Sequence, residues 1–312
     1  MTYRTHLHSA LACAAMSFFS LTAHAGLFRA YLSAAGNDAN ACTLLAPCRL
    51  LPAALAAISD GGEIWMLNSA NYNTGTVNIA KSATLLAVPG AVGSVLAING
   101  PAINIAPGFS VALRNLVIVP QPGGGGTDGI DLQSGSVLTI ENSLIANLPG
   151  HGVSVNGTAK LEISDSIIRD NALYAVHLQD GATADIIGTK MLNNYSGGVR
   201  AYTFAATTTT ATLGNSVVSG GNEGVYAYAN NTGGAANIFV TRSTIQNTSY
   251  ALDSETGAGS SLIAVSYSMI ANNNYGWYQY QAGSGSSIYS LGNNNFSANT
   301  SSFGSLTEIA LK

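Results

Sequence analysis

Two columns of apolar residues recur along the chain at an interval of about 25 residues. The first column has members spaced 23 to 27 residues apart: Ile130, Val153, Val176, Val199, Val225, Leu252 and Trp277. The second column lies seven or eight residues earlier in most repeats: Ile118, Ile145, Ile168, Leu192, Val218, Ile245 and Ile270. Two columns that keep step over seven repeats indicate a repeat protein, in which each unit buries its apolar face against its neighbours.

Each repeat contains short alternating segments such as "LTIE", "SLIAN" and "GVSV". These segments are too short for helices and rich in β-branched residues, so they predict three strands per repeat. The pattern predicts an all-β fold, a right-handed parallel β-helix of about nine rungs stacked ~4.8 Å apart, with Val, Ile and Leu pointing inward. A β-sandwich is the alternative, but sandwiches do not keep a single period of this length.

Asparagine recurs between the second and third segments of the repeats, at Asn147, Asn171, Asn194, Asn247 and Asn272. Asparagine tolerates left-handed turn geometry, and its side-chain amide can form hydrogen bonds along a stack of identical turns. We therefore expect these residues to form one corner of the rungs.

The segment before the repeats predicts a cap. In "CRLLPAALAAISDGGEI", Pro52 stands near a helix start, Leu51 and Leu55 are apolar, and Gly61-Gly62 is a stop signal. The open apolar end of a solenoid has to be covered. One short amphipathic helix is sufficient for this purpose.

The N-terminal residues predict export. Arg4 precedes an apolar run from Ala10 to Thr22, and "AHA" at 23–25 has the small-x-small pattern of a cleavage site. We expect residues 1–25 to be a signal peptide cleaved near Ala25, and the mature protein to be extracellular or periplasmic. The run is too short to span a bilayer, and no later run approaches the ~20 apolar residues that a span requires.

Two cysteines remain once Cys13 is removed with the signal peptide. In an oxidising compartment, Cys42 and Cys48 predict a disulfide that closes a small loop. A metal site would need further ligands close by in the sequence, and there are none, so no metal site is expected here.

The segments "AYLSAAGNDANACTLLAPCRLLPAALAAISDGGEI" and "ANYNTGTVNIAKSATLLA" resemble the N-terminal region of secreted β-helix proteins of the pectate-lyase-like superfamily, which carry PbH1-type repeats. The matching features are the Ala-rich helix, Gly36-Asn37-Asp38, Pro47-Cys48 and the Asn71-Tyr72 turn. With the repeats, the resemblance covers nearly the whole mature chain and implies the fold more strongly than any activity. We expect an N-terminal cap over 26–76, a parallel β-helix over 77–296 and a C-terminal tail or cap over 297–312.

Composition argues against two classes. Only 8% of the residues are charged, and the formal net charge is -4 at pH 7. The chain has no cluster of Lys and Arg of the kind that nucleic acid requires. Its hydrophobic content of 47% does not fit disorder.

If the first apolar column points inward, the residues next to it in each strand point outward. The outward pairs are Asp131 and Gln133, Ser154 and Asn156, His177 and Gln179, Arg200 and Tyr202, Tyr226 and Tyr228, Asp253 and Glu255, and Tyr278 and Tyr280. We call this surface the strip. It runs ~30 Å along one face of one sheet and carries five tyrosines and three carboxylates.

Aromatic rings beside hydrogen-bonding groups suit sugars, which have apolar C–H faces and hydroxyl groups. A long shallow surface suits a polymer better than a small metabolite, which would need a pocket. We therefore predict binding of an extended polysaccharide or cell-surface glycan, for adhesion or matrix attachment. The residues expected to contact it are Asp131, Tyr202, Tyr228, Asp253, Glu255, Tyr278 and Tyr280. The alternative is that the tyrosines form a ladder that only stabilises the sheet.

The segment "TD" at 127–128, followed one repeat later by "GHG" at 150–152, looks like part of the polygalacturonase pattern. That family's paired-Asp segment and its Arg-Ile-Lys are missing. An inverting hydrolase needs a carboxylic acid and a second carboxylate, and Asp128 with Asp131 would not supply them in the family's arrangement. We therefore interpret His151 as part of a glycine-bracketed corner.

A lyase or epimerase acting on uronic-acid polymers is the better enzymatic hypothesis. It needs a cation against the substrate carboxylate and a base for the proton alpha to it. Arg200 is the candidate cation, and His177, one rung away, is the candidate base, because a neighbouring cation disfavours the protonated imidazole. Tyr226, on the other side of Arg200, is the candidate acid.

The residues do not specify a cofactor. The resemblance to pectate lyases leaves Ca²⁺ as an option, and Ca²⁺ needs several close carboxylates. Asp128 with Asp131, or Asp253 with Glu255, are the minimal candidates for such a site.

Overall fold

The structure is a computed structural model that describes residues 26–281 and 285–309. The expected signal peptide, residues 1–25, lies outside the described residues. Within the described part, the chain forms one helix, α1 (Leu51–Ala57), and 32 strands. None of its helical structure is long and apolar enough to cross a membrane.

Most of the strands are short, with three to seven residues. The first eleven are β1 (Leu27–Leu32), β2 (Ile58–Met66), β3 (Ala70–Asn71), β4 (Val77–Ile79), β5 (Ala83–Ala87), β6 (Gly93–Ala97), β7 (Ile103–Ile105), β8 (Ser110–Arg114), β9 (Leu116–Pro120), β10 (Ile130–Leu132) and β11 (Val137–Glu141). The next eleven are β12 (Leu144–Ala146), β13 (Val153–Asn156), β14 (Lys160–Ser164), β15 (Ile167–Arg169), β16 (Tyr174–Gln179), β17 (Thr183–Ile187), β18 (Lys190–Leu192), β19 (Gly197–Thr203), β20 (Thr208–Gly214), β21 (Val217–Ser219) and β22 (Glu223–Ala229). The last ten are β23 (Ala235–Thr241), β24 (Thr244–Gln246), β25 (Tyr250–Thr256), β26 (Ser260–Ser266), β27 (Met269–Ala271), β28 (Tyr275–Gln281), β29 (Ser286–Ser290), β30 (Asn295–Ser297), β31 (Ser301–Phe303) and β32 (Thr307–Glu308).

From β2 onward, consecutive strands belong to different sheets, and every third strand returns to the same sheet. Sheet 1 has 12 strands (β1, then β2, β5 and every third strand to β32), whereas sheet 2 (β3 to β30) and sheet 3 (β4 to β31) have 10 each. All strand pairs within the sheets are parallel, as in β13 with β16 and β16 with β19. The expected right-handed parallel β-helix with three strands per rung is confirmed, with about ten rungs.

The first apolar column stacks as expected. Ile130, Val153, Val176, Val199, Val225, Leu252 and Trp277 pair in unbroken order along sheet 3. Side chains of this kind fill the centre of the solenoid, and Val153, Val176 and Val199 are completely buried. Their burial supplies the hydrophobic stabilisation that an isolated rung lacks.

The second column needs one correction. Ile168 pairs with Met191, which in turn pairs with Val218, so Met191 and not Leu192 belongs to the column. Leu192 pairs with Arg169 and is half-buried, whereas Met191 is completely buried. The strand has only three residues, and because its last two are both apolar, the sequence pattern did not distinguish the inward one.

The asparagine corner also differs from the expectation, because it consists of two neighbouring columns. Asn147, Asn247 and Asn272 have positive φ angles of 61°, 56° and 57° and make the left-handed turn. Asn171 and Asn194 lie one position later, are buried, and form an inward ladder in which Asn171 Nδ2 donates to Asn194 Oδ1 at 2.8 Å. One column therefore shapes the backbone and the other satisfies buried polar groups.

The N-terminal end of the solenoid is covered by α1, which has Pro52 in its first turn and buries Leu51, Ala54 and Leu55. The helix ends at Ala57, before the expected Gly61-Gly62 stop, because Ile58 is extended and begins β2. The expected disulfide is present and joins the buried Cys42 and Cys48.

Strand pairing extends past both expected boundaries of the β-helix. Before residue 77, β2 pairs with β5 and β3 pairs with β6. After residue 296, β31 pairs with β28 and β32 pairs with β29. The solenoid ladder thus includes part of each terminal segment.

Candidate functional site

The strip forms two columns in register on the outer face of sheet 3. The first column contains Asp131, Ser154, His177, Arg200, Tyr226, Asp253 and Tyr278. The second contains Asn156, Gln179, Tyr202, Tyr228, Glu255 and Tyr280. Gln133 follows β10 and donates from its side-chain amide to Asp131 Oδ2 at 2.8 Å. The parallel register therefore brings together residues that are far apart in the sequence.

Arg200 lies at the centre of the strip among aromatic rings. Its guanidinium carbon is 3.8 Å from the ring centroid of Tyr202 and 5.4 Å from those of Tyr174 and Tyr226. Within the described residues, every ion pair is made by another cation, and Arg200 has no carboxylate within ion-pairing distance. Its charge is therefore stabilised by the π faces of three tyrosine rings.

His177 is neutral and almost completely buried, with 7% of its surface exposed. Its ring stacks on that of His151 with centroids 4.6 Å apart. Burial, followed by the neighbouring His151 and Arg200, lowers the pKa of His177 to about 3. Arg200 was the expected cause of the neutral imidazole, but burial is the larger cause, and it arises because side chains of the strip cover one another.

The corner with the Gly-His-Gly motif is held by backbone contacts. The His151 N–H donates to Asp128 Oδ1 at 2.5 Å, and His151 Nδ1 accepts from the Tyr174 N–H at 3.2 Å. A Cβ at Gly152 would lie 2.6 Å from the carbonyl oxygen of Ala175. These contacts support the interpretation of the motif as a corner, since the histidine nitrogen and the glycine both serve the turn.

On the far side of Arg200, the carboxyl group of Asp253 is buried and that of Glu255 is half-buried. Asp253 is 4% exposed, and burial, followed by the charges of Glu255 and Glu223, raises its pKa to about 9. The Tyr226 hydroxyl donates to Glu255 Oε2 at 3.1 Å. Burial and Glu255 raise the pKa of Tyr226, so Asp253 and Tyr226 are both protonated at neutral pH.

Buried polar atoms without partners are concentrated in the first column of the strip. Among the described residues, five buried side-chain nitrogen or oxygen atoms have no hydrogen-bond partner, and three are His177 Nδ1, Arg200 Nε and Asp253 Oδ1. Each such atom costs about 1–3 kcal/mol, and native proteins keep few of them. Three of the five therefore lie in one column of the strip, within four rungs.

The tyrosines of the strip differ in how they can be used. Tyr202 and Tyr228 stack on each other with centroids 5.0 Å apart, and Phe204 meets Tyr202 edge-on at 4.5 Å. Tyr278 stacks on Phe303 at 5.0 Å. Tyr280 is 48% exposed. Tyr202, Tyr228 and Tyr278 therefore each stack on a neighbouring ring, whereas the ring of Tyr280 is open to solvent.

Asp131, at the first rung of the strip, is engaged by two side-chain amides. Asp131 accepts amide hydrogens on both oxygens, from Gln133 and from Asn156, each at 2.8 Å. Burial and the charge of Asp128 raise the pKa of Asp131. Within residues 26–281 and 285–309 there is no group of three or more His, Cys, Asp and Glu side chains that could hold a metal ion.

Two residues beside the strip were not assigned a role from the sequence. Tyr174 and Glu223 lie at its rim, and the Tyr174 hydroxyl donates to Glu223 Oε2 at 3.0 Å. The Tyr174 ring also packs on the Arg200 guanidinium. Their common position in the repeat was visible, but their contact spans two rungs and needs the three-dimensional structure.

The comparisons with known proteins agree with this architecture. The family model described as the right handed beta helix region matches residues 102–274. No curated protein matches the chain.

Solved structures with the same fold include three β-helices. The pectate lyase Pel9A has a TM-score of 0.58 at 14% identity, over 90% of this chain and 77% of that one. The alginate lyase from Paenibacillus sp. str. FPU-7 has a TM-score of 0.57 at 12% identity, over 90% of this chain and all (100%) of that one. XylC, in complex with xylose, has a TM-score of 0.56 at 8% identity, over 90% and 70% of the two chains. At these identities the likeness shows the fold.

Proposed function

The chain belongs to the right-handed beta helix family, and we propose that this member is a secreted protein that binds an extended polysaccharide along the strip. Adhesion or matrix attachment is the role that such binding would serve. The solved β-helices of similar fold include a pectate lyase and an alginate lyase, which supports an acidic polysaccharide as the ligand.

Secretion is supported by two features. The Cys42–Cys48 disulfide is of the kind that persists in oxidising compartments. The apolar run before the "AHA" at 23–25 has the composition of a signal peptide. Recovery of a mature chain that starts near Gly26 from the culture medium or periplasm would test this part.

The observation that carries the binding proposal is the column of buried polar atoms without partners. His177 Nδ1, Arg200 Nε and Asp253 Oδ1 all lie on the outer face of one sheet. A polymer of hydroxyl and carboxylate groups lying on this face would supply donors and acceptors over several rungs. Tyr280, farther along the same face, adds an exposed aromatic ring for a sugar C–H face.

Affinity electrophoresis of the mature protein in gels that contain polygalacturonate or alginate tests the proposal. The wild-type protein should be retarded, and Tyr280→Ala should weaken binding about fivefold, the loss of ~1 kcal/mol for one stacked ring. Arg200→Gln should weaken it further if the polymer is acidic. Wild-type mobility unchanged by either polymer would count against the proposal.

A matched pair outside the strip serves as the control. Arg242 and Tyr267 also form an arginine–tyrosine contact, at 5.6 Å, and both are exposed. Arg242→Gln and Tyr267→Ala should leave the retardation unchanged. Comparing Tyr228→Ala with Tyr280→Ala separates ladder from ligand contact: loss of Tyr228 should lower stability through its stack with Tyr202, whereas loss of Tyr280 should lower binding and leave stability unchanged.

A second candidate function is a lyase or epimerase acting on a uronic-acid polymer, and the free charge of Arg200 favours it. Arg200 would bind the uronate carboxylate while the neutral imidazole of His177 removes the alpha proton. In a lyase, the electron pair forms the C4=C5 bond, the C4–O bond breaks, and Tyr226 protonates the leaving oxygen. In an epimerase, a proton returns to the same carbon from the opposite face.

The low pKa of His177 makes it a weak base in the free protein. A carboxylate bound at Arg200 would place negative charge beside the imidazole and raise its pKa. The enzymatic function therefore depends on prior binding, and this is why binding is the function we place first.

Ultraviolet detection of unsaturated ends, and deuterium incorporation from heavy water, would reveal lyase and epimerase activity respectively. His177→Ala should abolish turnover and keep most of the binding, since a base acts on the transition state more than on the ground state. His151→Ala should have a smaller effect. Activity that survives His177→Ala would refute the assignment of the base, and no activity on either polymer would leave binding as the function.

A further inference from the structure

A cleft of about 580 Å³, which we call the rim cleft, opens beside the strip on the corner between sheets 2 and 3. Its volume lies in the range of roughly 300–1,000 Å³ that small-molecule sites occupy. The turns before β19, β22 and β25 form its walls. The residues that line it include Tyr174, Tyr195, Ser196, Asn222, Glu223 and Ser249.

The rim cleft contains the groups that recognise a sugar ring. Tyr195 is 79% exposed, so an aromatic face is open to ligand. The Glu223 carboxylate is fixed from two sides: Oε1 accepts from Asn222 Nδ2 at 2.6 Å, and Oε2 accepts from the Tyr174 hydroxyl at 3.0 Å. A fixed carboxylate retains lone pairs for ligand hydroxyls, and its orientation is determined before the ligand binds.

The charges of the rim cleft and the strip are complementary. Glu223 is the one charged side chain among the residues lining the cleft, so a uronate there would meet a carboxylate. Arg200 lies on the strip side of Tyr174, with its guanidinium carbon 5.4 Å from the Tyr174 ring centroid. An acidic sugar is favoured at Arg200, and an uncharged sugar is favoured in the cleft.

We propose that the rim cleft binds one neutral sugar residue that branches from an acidic polysaccharide lying on the strip. The inference rests on the proposed binding function and narrows its ligand. A polymer that follows the strip passes the mouth of the cleft at Tyr174 and Glu223, so the residue that enters the cleft is attached to the side of the chain. The ligand class is therefore an acidic polysaccharide whose main chain lies on the strip and whose neutral branches enter the cleft.

Saturation-transfer NMR with the methyl glycosides of galactose, glucose, mannose and xylose, and with methyl glucuronate, tests the cleft by itself. At least one neutral glycoside should receive saturation from the mature protein, and methyl glucuronate should receive little. Tyr195→Ala should reduce the signal of that glycoside about fivefold, whereas Tyr267→Ala should leave it unchanged. Tyr195 is exposed in a turn, and a circular-dichroism melt confirms that the variant is folded.

Glu223→Gln is the second variant, because it replaces the carboxylate with an uncharged amide of nearly the same shape. It should allow methyl glucuronate to bind where the wild-type protein rejects it. The proposal is overturned if no neutral glycoside binds, or if binding survives Tyr195→Ala undiminished. Retention of polygalacturonate together with no glycoside binding would overturn the cleft and leave the strip; glycoside binding without polymer retention would support the cleft and refute the strip.

Discussion

The Tyr174 hydroxyl donates a hydrogen bond to Glu223 Oε2 at 3.0 Å although a whole rung separates the two residues. Gly197 is the residue of that rung, since it pairs with Tyr174 on one side and Glu223 on the other. With no side chain at Gly197, the tyrosine can extend across the rung. The contact joins the rim cleft to the Arg200 cluster, so one glycine shapes both surfaces.

Replacing Gly197 with alanine should destabilise the protein by roughly 2 kcal/mol or more. Gly197 has a φ of 149°, and a Cβ there would lie 2.0 Å from the carbonyl oxygen of Glu223. Urea unfolding followed by circular dichroism measures the loss. Gly214→Ala is the control, because a Cβ at that strand position would meet its nearest atom, Thr241 Cγ2, at an ordinary 3.8 Å. Equal stability of the two variants would contradict the role given to Gly197.

Replacing Asn171 with alanine should cost about 1–3 kcal/mol of unfolding free energy, because the buried Leu148 N–H loses its partner and the ladder loses one amide link. Asn171 Oδ1 accepts from the Leu148 N–H at 3.0 Å, and its amide donates to Asn194 at 2.8 Å. The control is Asn104→Ala, which removes an amide pair of the same kind on the outer face, where Asn104 bonds Asn78. Thermal unfolding should show a clear decrease for Asn171→Ala and little change for Asn104→Ala; the reverse order would exclude the inward ladder as a stabilising element.

The fold could be predicted from the sequence because each rung contacts only the rungs before and after it, at a nearly constant separation along the chain. Residues such as Val153 and Val176 contact their counterparts one repeat away, so the period alone fixes the pairing and the outward columns. The errors occurred where two neighbouring residues of similar chemistry compete for one inward position. Met191 and Leu192 are such a pair, and the two asparagine columns are another.

The site could be predicted only in part, because periodicity says which residues point outward but not how they contact one another. It placed His177 beside Arg200 correctly. It did not reveal that His151 stacks on His177 and buries it, or that the rings of Tyr202 and Tyr228 face each other. Side-chain directions determine these contacts, and with them the pKa of His177 and the open faces of the rings.

Removing the disulfide should lower the free energy of unfolding by roughly 2 kcal/mol, because the unfolded chain gains the conformational entropy that the closed loop had removed. The Cys42→Ala/Cys48→Ala double variant opens a loop with a sequence separation of 6, next to the capped end of the solenoid. Thermal unfolding with and without dithiothreitol measures the effect. The wild-type protein should lose stability in the reductant, and the double variant should not respond; a response by the double variant would show that the reductant acts elsewhere.

Asp253 should make the protein less stable as the pH rises from about 4 to about 9. Its pKa is 3.8 as an unperturbed group and about 9 in the folded chain, where burial, Glu255 and Glu223 oppose its ionisation. Between these values the unfolded chain has released the proton and the folded chain has retained it. Since the folded state then binds more protons, the free energy of unfolding decreases with increasing pH.

Asp253→Asn removes the ionisable group and keeps the shape of the side chain, so it gives the sharpest test. The variant should unfold at a higher temperature than the wild-type protein at pH 8, and the difference should shrink as the pH falls to about 3, below the unperturbed pKa of 3.8, where wild-type Asp253 is mostly protonated in both states. Asp185→Asn, at an exposed position of sheet 1, is the control for the chemical change from carboxyl to amide. A difference between Asp253→Asn and wild type that stays constant from pH 4 to pH 8 would mean that Asp253 ionises normally in the folded protein, and that its place among the unpartnered polar groups of the strip needs another explanation.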